Sequence, residues 1–163
     1  MNKEILELAQ QQQWTQLTTL LQADNVAVNV QDEKGYSPLH YAAIQGQCEV
    51  IDVLVAKGCA LETATGNGST ALHKAATFGQ LDAIHTLLTL GADLEARTNN
   101  PDVPSFSART PLHEAAVEGH ADAVTLLLSL GADQNALTDA QETALDLAVY
   151  YKHTDATAAL SRS

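Results

Sequence analysis

The sequence predicts an all-α repeat solenoid: a stack of helix-turn-helix units with turn-like fingers between them, capped at both ends. Three observations predict it. Hydrophobic residues make up 45% of the chain, yet the apolar mass is Ala and Leu and only 4% of residues are aromatic, which suits close-packed helices over an aromatic-rich sheet. Apolar residues recur at spacings of three and four, the mark of one helical face. Three sets of markers repeat in a single register: His40, His73 and His113; Gly46, Gly79 and Gly119; Gly58, Gly91 and Gly131. In each set the steps are 33 and then 40 residues, an agreement that excludes chance and points to an internal repeat.

The units read in order as follows. A faint first copy, "ILELAQQQQWTQLTTLLQADN", places Leu17 and Leu21 33 residues before Val50 and Leu54. Gln10 to Gln13, Thr15, Gln16, Thr18 and Thr19 give it the polar outer face that an end unit needs. Trp14 reads as packing within that cap. The second, third and fourth units open on "SPLHYAA", "TALHKAA" and "TPLHEAA". Ser37, Thr70 and Thr110 sit where a helix N-cap belongs, and Thr143 does so in a degenerate fifth unit, "TALDLAVYYKHTDATAALSRS". Pro38 and Pro111 follow at the first helical position, which proline tolerates. The paired alanines let a neighbouring helix approach closely, and Gly46, Gly79 and Gly119 end the first helix. A second helix then carries Val50, Ile51 and Leu54; Ile84, Leu87 and Leu88; or Val124, Leu127 and Leu128. Lys152, His153, Thr154, Asp155 and Thr157 supply the polar face of the last unit. The chain thus reads as one repeat domain over 1–163, with units near 1–28, 29–61, 62–94, 95–134 and 135–163.

This pattern strongly resembles the ankyrin repeat family, on the three "LHxAA" segments with their caps and on the glycine turns, "GAD" in two cases. The resemblance covers roughly residues 4 to 161. It implies a curved stack whose first helices and β-turn fingers form a concave face, the usual site of partner binding. It also implies that His40, His73 and His113 bond the backbone and cap hydroxyls of adjacent units rather than performing chemistry.

Other function classes find no support. The net charge is −12, from 20 acidic and 8 basic residues, and the acids are scattered from Glu4 to Asp155. Such a field repels nucleic acid and anionic membrane and steers basic partners inward. Cys48 and Cys59 make neither a disulfide framework nor a metal signature. "TGNGST" lacks the lysine and the preceding strand of a phosphate loop. No nucleophile–base pair stands out, so the reading is non-catalytic, with no cofactor and no metal. The N-terminus has no apolar run fit for a signal peptide, and no stretch approaches the length of a membrane span. A cytoplasmic, monomeric protein is expected.

The candidate contact residues come from the variable slots: the two positions before each mid-unit glycine and those just before each cap. Five of the chain's aromatic residues, Tyr36, Phe78, Phe106, Tyr150 and Tyr151, fall there; Trp14 and Tyr41 do not. Glu118 and Arg109 occupy the same kinds of slot. The 40-residue step adds seven residues to one finger, near 100–106 in "NNPDVPSFSA". Lengthening a loop from about four to about eleven residues costs only about 0.9 kcal/mol in closure entropy. Pro101 and Pro104 stiffen the insertion, and Val103 and Phe106 give it an apolar tip. Ala108 stands where neighbouring fingers have Gly35 and Gly68, so the tight turn is expected to be lost there. The predicted contact set is Tyr36, Phe78, Val103, Phe106, Arg109, Glu118, Tyr150 and Tyr151, for a partner protein with a basic patch. A stoichiometric inhibitor or immunity-type protein that blocks a basic enzyme, and a self-assembling structural protein, are the alternative functions.

Overall fold

The structure is a computed structural model that describes residues 2–23, 26–103 and 107–162. Among them run ten α-helices and no strand. They come in five pairs: α1 (Asn2–Gln10) with α2 (Trp14–Leu21), α3 (Pro38–Ile44) with α4 (Cys48–Ala56), α5 (Ala71–Thr77) with α6 (Leu81–Thr89), α7 (Pro111–Val117) with α8 (Ala121–Ser129), and α9 (Ala144–Tyr150) with α10 (Thr154–Leu160).

None of these helices exceeds nine residues. An isolated helix shorter than about 12–15 residues is marginal in water, so each one is held by its neighbours. The first helices stack in the order α1, α3, α5, α7, α9, and the second helices stack behind them as α2, α4, α6, α8, α10. The paired alanines Ala42–Ala43, Ala75–Ala76 and Ala115–Ala116 are fully buried between first helices. Leu39, Leu72 and Leu112 point the same way, and Val50, Ile51 and Leu54, then Ile84 and Leu87, then Val124 and Leu127, complete one continuous aliphatic core. Leu88 and Leu128, expected in that core, are half-buried at its edge.

Each middle cap is a reciprocal box in which histidine replaces the usual Glu or Gln. His40 Nδ1 accepts from the Ser37 backbone N–H at 3.0 Å and lies 2.8 Å from Ser37 Oγ. Thr70 with His73 and Thr110 with His113 repeat the geometry at 3.2 and 2.9 Å and at 3.1 and 2.8 Å. A ring whose Nδ1 accepts from a backbone N–H carries its own proton on Nε2. That Nε2–H donates toward the next finger: to the Ser69 carbonyl at 3.0 Å from His40, to Arg109 at 2.9 Å from His73, and from His113 to Glu142 at 3.3 Å and to Ala136, just ahead of the finger, at 3.1 Å. Thr143 and Asp146 form the same box, but the carboxylate offers acceptors only.

A second set of bridges runs behind the first. In the last three units the residue after the mid-unit turn reaches back one unit: Gln80 Nε2 donates to the Ile44 carbonyl at 2.9 Å, His120 Nε2 to Thr77 at 3.0 Å, and His153 Nε2 to Val117 at 2.8 Å. This explains the glycine at Gly79, with φ +63°. The turn requires a left-handed residue, and a Cβ there would sit 2.8 Å from His120 Nδ1.

Burial pushes the imidazoles of His40, His73 and His113 down to about 4, although the carbonyl bonds at Nε2 pull the other way. An unfolded histidine titrates near 6.5, so the folded state binds fewer protons in between. The stability each ring contributes is whole above about pH 6.5 and is lost as the pH falls toward 4. Each tenfold difference in proton affinity between the folded and unfolded chain corresponds to roughly 1.4 kcal/mol. Urea unfolding followed by circular dichroism should therefore show the midpoint falling steadily across that window. A midpoint that does not move between pH 6.5 and 4.5 would contradict neutral bridging rings.

Candidate partner-binding surface

Four fingers project between the helix pairs, and each is closed by two backbone bonds. Asp32 N–H donates to the Tyr36 carbonyl at 2.9 Å, and Gly35 N–H to Asp32 at 2.9 Å. Thr65 with Ser69 and Gly68 with Thr65 repeat this at 2.9 and 2.8 Å, as do Thr138 with Glu142 and Gln141 with Thr138 at 3.0 and 2.9 Å. In the lengthened finger, Thr98 N–H donates to Arg109 at 2.9 Å and Ala108 N–H to Thr98 at 2.8 Å. The closure is the same despite the insertion. The expectation that Ala108 abolishes the tight turn is overturned: Ala108 takes φ +59°, beside +81° at Gly35, +78° at Gly68 and +61° at Gln141. Strain of about 1–2 kcal/mol, the usual cost of left-handed backbone with a Cβ, replaces the missing glycine.

The fingers also bond to one another. Gly66 N–H donates to the Lys34 carbonyl at 2.9 Å, Asn99 N–H to Asn67 at 3.1 Å, and Asp139 N–H to Ser107 at 3.3 Å. Side chains add a parallel series. Gln31 Nε2 spans the Gly35 and Ala64 carbonyls, and Arg97 Nη1 spans Ala108 and Leu137 in the same way. Asn99 and Ser107, on either side of the insertion, keep their places in this ladder. At the base of the insertion, Ser107 Oγ accepts from Asn100 N–H at 2.8 Å and donates to the Asn100 carbonyl at 3.1 Å. Asn100 Oδ1 accepts from the N–H groups of Asp102 and Val103.

Each predicted contact residue in the described structure has a definite place. Phe78, Glu118 and Tyr151 are the C-cap residues of α5, α7 and α9 and form an exposed row, one residue per unit. Phe78 is 50% exposed, and Tyr150, beside the row on α9, is 73% exposed. Tyr150 and Tyr151 meet edge to face at 5.1 Å. Val103 is exposed on the insertion. Tyr36 is half-buried at the other end of the stack, 5.5 Å from the Tyr41 ring, with Lys74 Nζ 5.2 Å from its own ring centroid. Arg109 differs from its expected role: it is only 7% exposed, with Nη1 4.0 Å from Glu114 Oε1. The finger turns its guanidinium inward onto α7 and does not offer it to solvent. Phe106 lies outside the described residues.

Several groups near these positions escape a reading of the sequence. Asp32 Oδ2 accepts from the Tyr41 hydroxyl at 2.7 Å and from Gln10 Nε2 at 3.3 Å, and its Oδ1 accepts from the Lys34 and Tyr36 N–H groups. Burial pushes that carboxyl up, but these hydrogen bonds together hold it below the usual carboxylate range. Glu114 goes the other way: burial raises it, and Arg109 and Lys74 only partly offset this. Tyr41, Lys74 and Glu114 share one slot, the residue after each motif histidine, and that shared slot was the available signal.

Among the described residues no three His, Cys, Asp or Glu side chains converge as a metal site. Burial pushes the Cys59 thiol up to about 11, far from a reactive thiolate. No described helix is long and apolar enough to cross a membrane.

The family model described as ankyrin repeats (3 copies) matches residues 6–98 and again 96–162. The chain belongs to the ankyrin repeat family. Ankyrin repeats are generally protein–protein interaction modules and typically non-catalytic. Among curated proteins none matches this chain.

The ankyrin ladder on either side of the insertion predicts that removing residues 100–106 leaves the fold intact. Thermal unfolding of the shortened chain should give unchanged helicity and a stability within about 1 kcal/mol of the parent. Loss of cooperative unfolding would show that the insertion props the stack.

Proposed function

We propose that this chain is a non-catalytic module that binds a partner protein through the finger side of the stack, the face that the family likeness makes concave. The observation that supports this best is the exposure of Phe78, Tyr150 and Tyr151. The core closes on Ala, Leu, Ile and Val without them. Large aromatic surface left in water on one face marks an interaction site, and aromatic side chains supply most interface anchors. Glu118 lies among them, and Val103 and the half-buried Tyr36 extend the surface at its edges. Arg109 acts beneath this surface, through Glu114, rather than as a contact.

The partner carries a basic patch. With a net charge of −12, the chain attracts such a surface over a Debye length of about 10 Å at moderate salt, and the on-rate falls as salt is added.

Three baits in affinity capture test this: the parent chain, the chain lacking residues 100–106, and Phe78→Ala/Tyr150→Ala/Tyr151→Ala. The parent should retain a protein that the triple variant loses by at least about tenfold, which corresponds to about 1.4 kcal/mol. The shortened chain should retain it with smaller loss. Equal capture by parent and triple variant, with both folded, would move the binding site off this face.

A further inference from the structure

We propose that the row Phe78, Glu118, Tyr151 reads an extended, polyproline-type segment of the partner, with a basic side chain at its centre and an apolar one three residues to either side. This rests on the protein-binding reading above and specifies its partner.

Register is the first support. The three residues hold the same C-cap position on α5, α7 and α9, which pack side by side. Neighbouring packed helices lie about 8–10 Å apart, so the row offers one anchor at each such step. A polyproline helix has three residues per turn and rises about 3.1 Å per residue, so residues i, i+3 and i+6 recur on one side about every 9.3 Å. The two periods match. A β-strand covers the same distance in about three residues but turns the next anchor to its opposite face. An α-helix, at about 1.5 Å per residue, needs about six, and its next anchor lies about 240° around the axis.

The chemistry of the row agrees with the register. The rings of Phe78 and Tyr151 are half in water, and flat exposed aromatics suit proline and other compact apolar side chains. Tyr150 braces Tyr151 from the side. Glu118 is exposed on α7, the helix between those that carry the two rings, and the chain's overall charge favours a cation there. Lys152, exposed just past Tyr151, disfavours a second basic residue at that end. Gln45, the exposed C-cap of α3, continues the row with an amide that can bond the backbone groups a polyproline segment leaves unpaired. The insertion does not interrupt the row, because Asn99 and Ser107 on either side of it keep their finger bonds and α5 still packs on α7.

Fluorescence anisotropy tests this with the full chain. The probe is a labelled proline-rich peptide carrying Leu, Arg and Leu at positions i, i+3 and i+6. Two controls keep its length: one moves the Arg by a single position, and one replaces it with Glu. The in-register peptide should bind, and each control should bind at least about tenfold more weakly. Glu118→Lys should lose the Arg peptide and gain the Glu peptide, and Phe78→Ala or Tyr151→Ala should weaken binding with unchanged circular dichroism. Equal affinity for all three peptides, no binding by any, or indifference to the substitutions would overturn the proposal. If the peptides fail while capture still depends on Phe78, Tyr150 and Tyr151, the register alone is wrong. If both fail, the face is not the binding surface.

Discussion

One buried imidazole per middle unit couples the helices to the fingers. Its Nδ1 closes the cap of its own helix, and its Nε2–H holds a carbonyl at the root of the next finger. The ring must be neutral to do both. A carboxylate can accept from the cap but has nothing to donate, as Asp146 shows, and a lysine can donate but has nothing with which to accept from the cap. Because the ring is fully buried, losing one bond leaves an unsatisfied polar group in an apolar stack, which costs about 1–3 kcal/mol. Stacking and capping are therefore one cooperative interaction: short helices gain their ends and their neighbours together.

That coupling separates scaffold from surface. Helix register, finger closure and finger-to-finger bonding are set by the motif residues, the left-handed turns, and the Gln80, His120 and His153 bridges. None of them needs the side chains at Phe78, Glu118, Tyr150 or Tyr151. These positions can vary without disturbing the stack, and here they carry rings and charge into solvent. The seven-residue insertion makes the same point on the finger side. Its ends remain in the ladder through Asn99 and Ser107, and the strain of a left-handed Ala108 is small beside the bonds that impose it.

Much of this was legible in the residues. Steps of 33 and 40 shared by three sets of markers place every middle cap and every mid-unit turn, and the 3-and-4 spacing places the core. Exposure of Phe78, Tyr150 and Tyr151 follows from slots that face no neighbouring helix. What escaped was what depends on distance in space. Nothing local in the sequence says that Arg109 folds inward to Glu114, since that contact needs the finger and α7 in place. His120 and His153 look isolated along the chain; their partners are carbonyls 43 and 36 residues earlier, a distance only the stack closes. Ala108 misled for a different reason. Local preference argued against a left-handed alanine, and tertiary bonding on both sides of the turn overrode it.

The most direct test is the protonation of the three bridging rings. Imidazole ¹⁵N chemical shifts, recorded across a pH titration of the folded chain, report which nitrogen carries the proton and when the second one binds. His40, His73 and His113 should be neutral with the proton on Nε2 at neutral pH, and should not titrate until the chain unfolds in acid. Rings that protonate near 6.5 while the chain stays folded would contradict the coupling on which the structure depends.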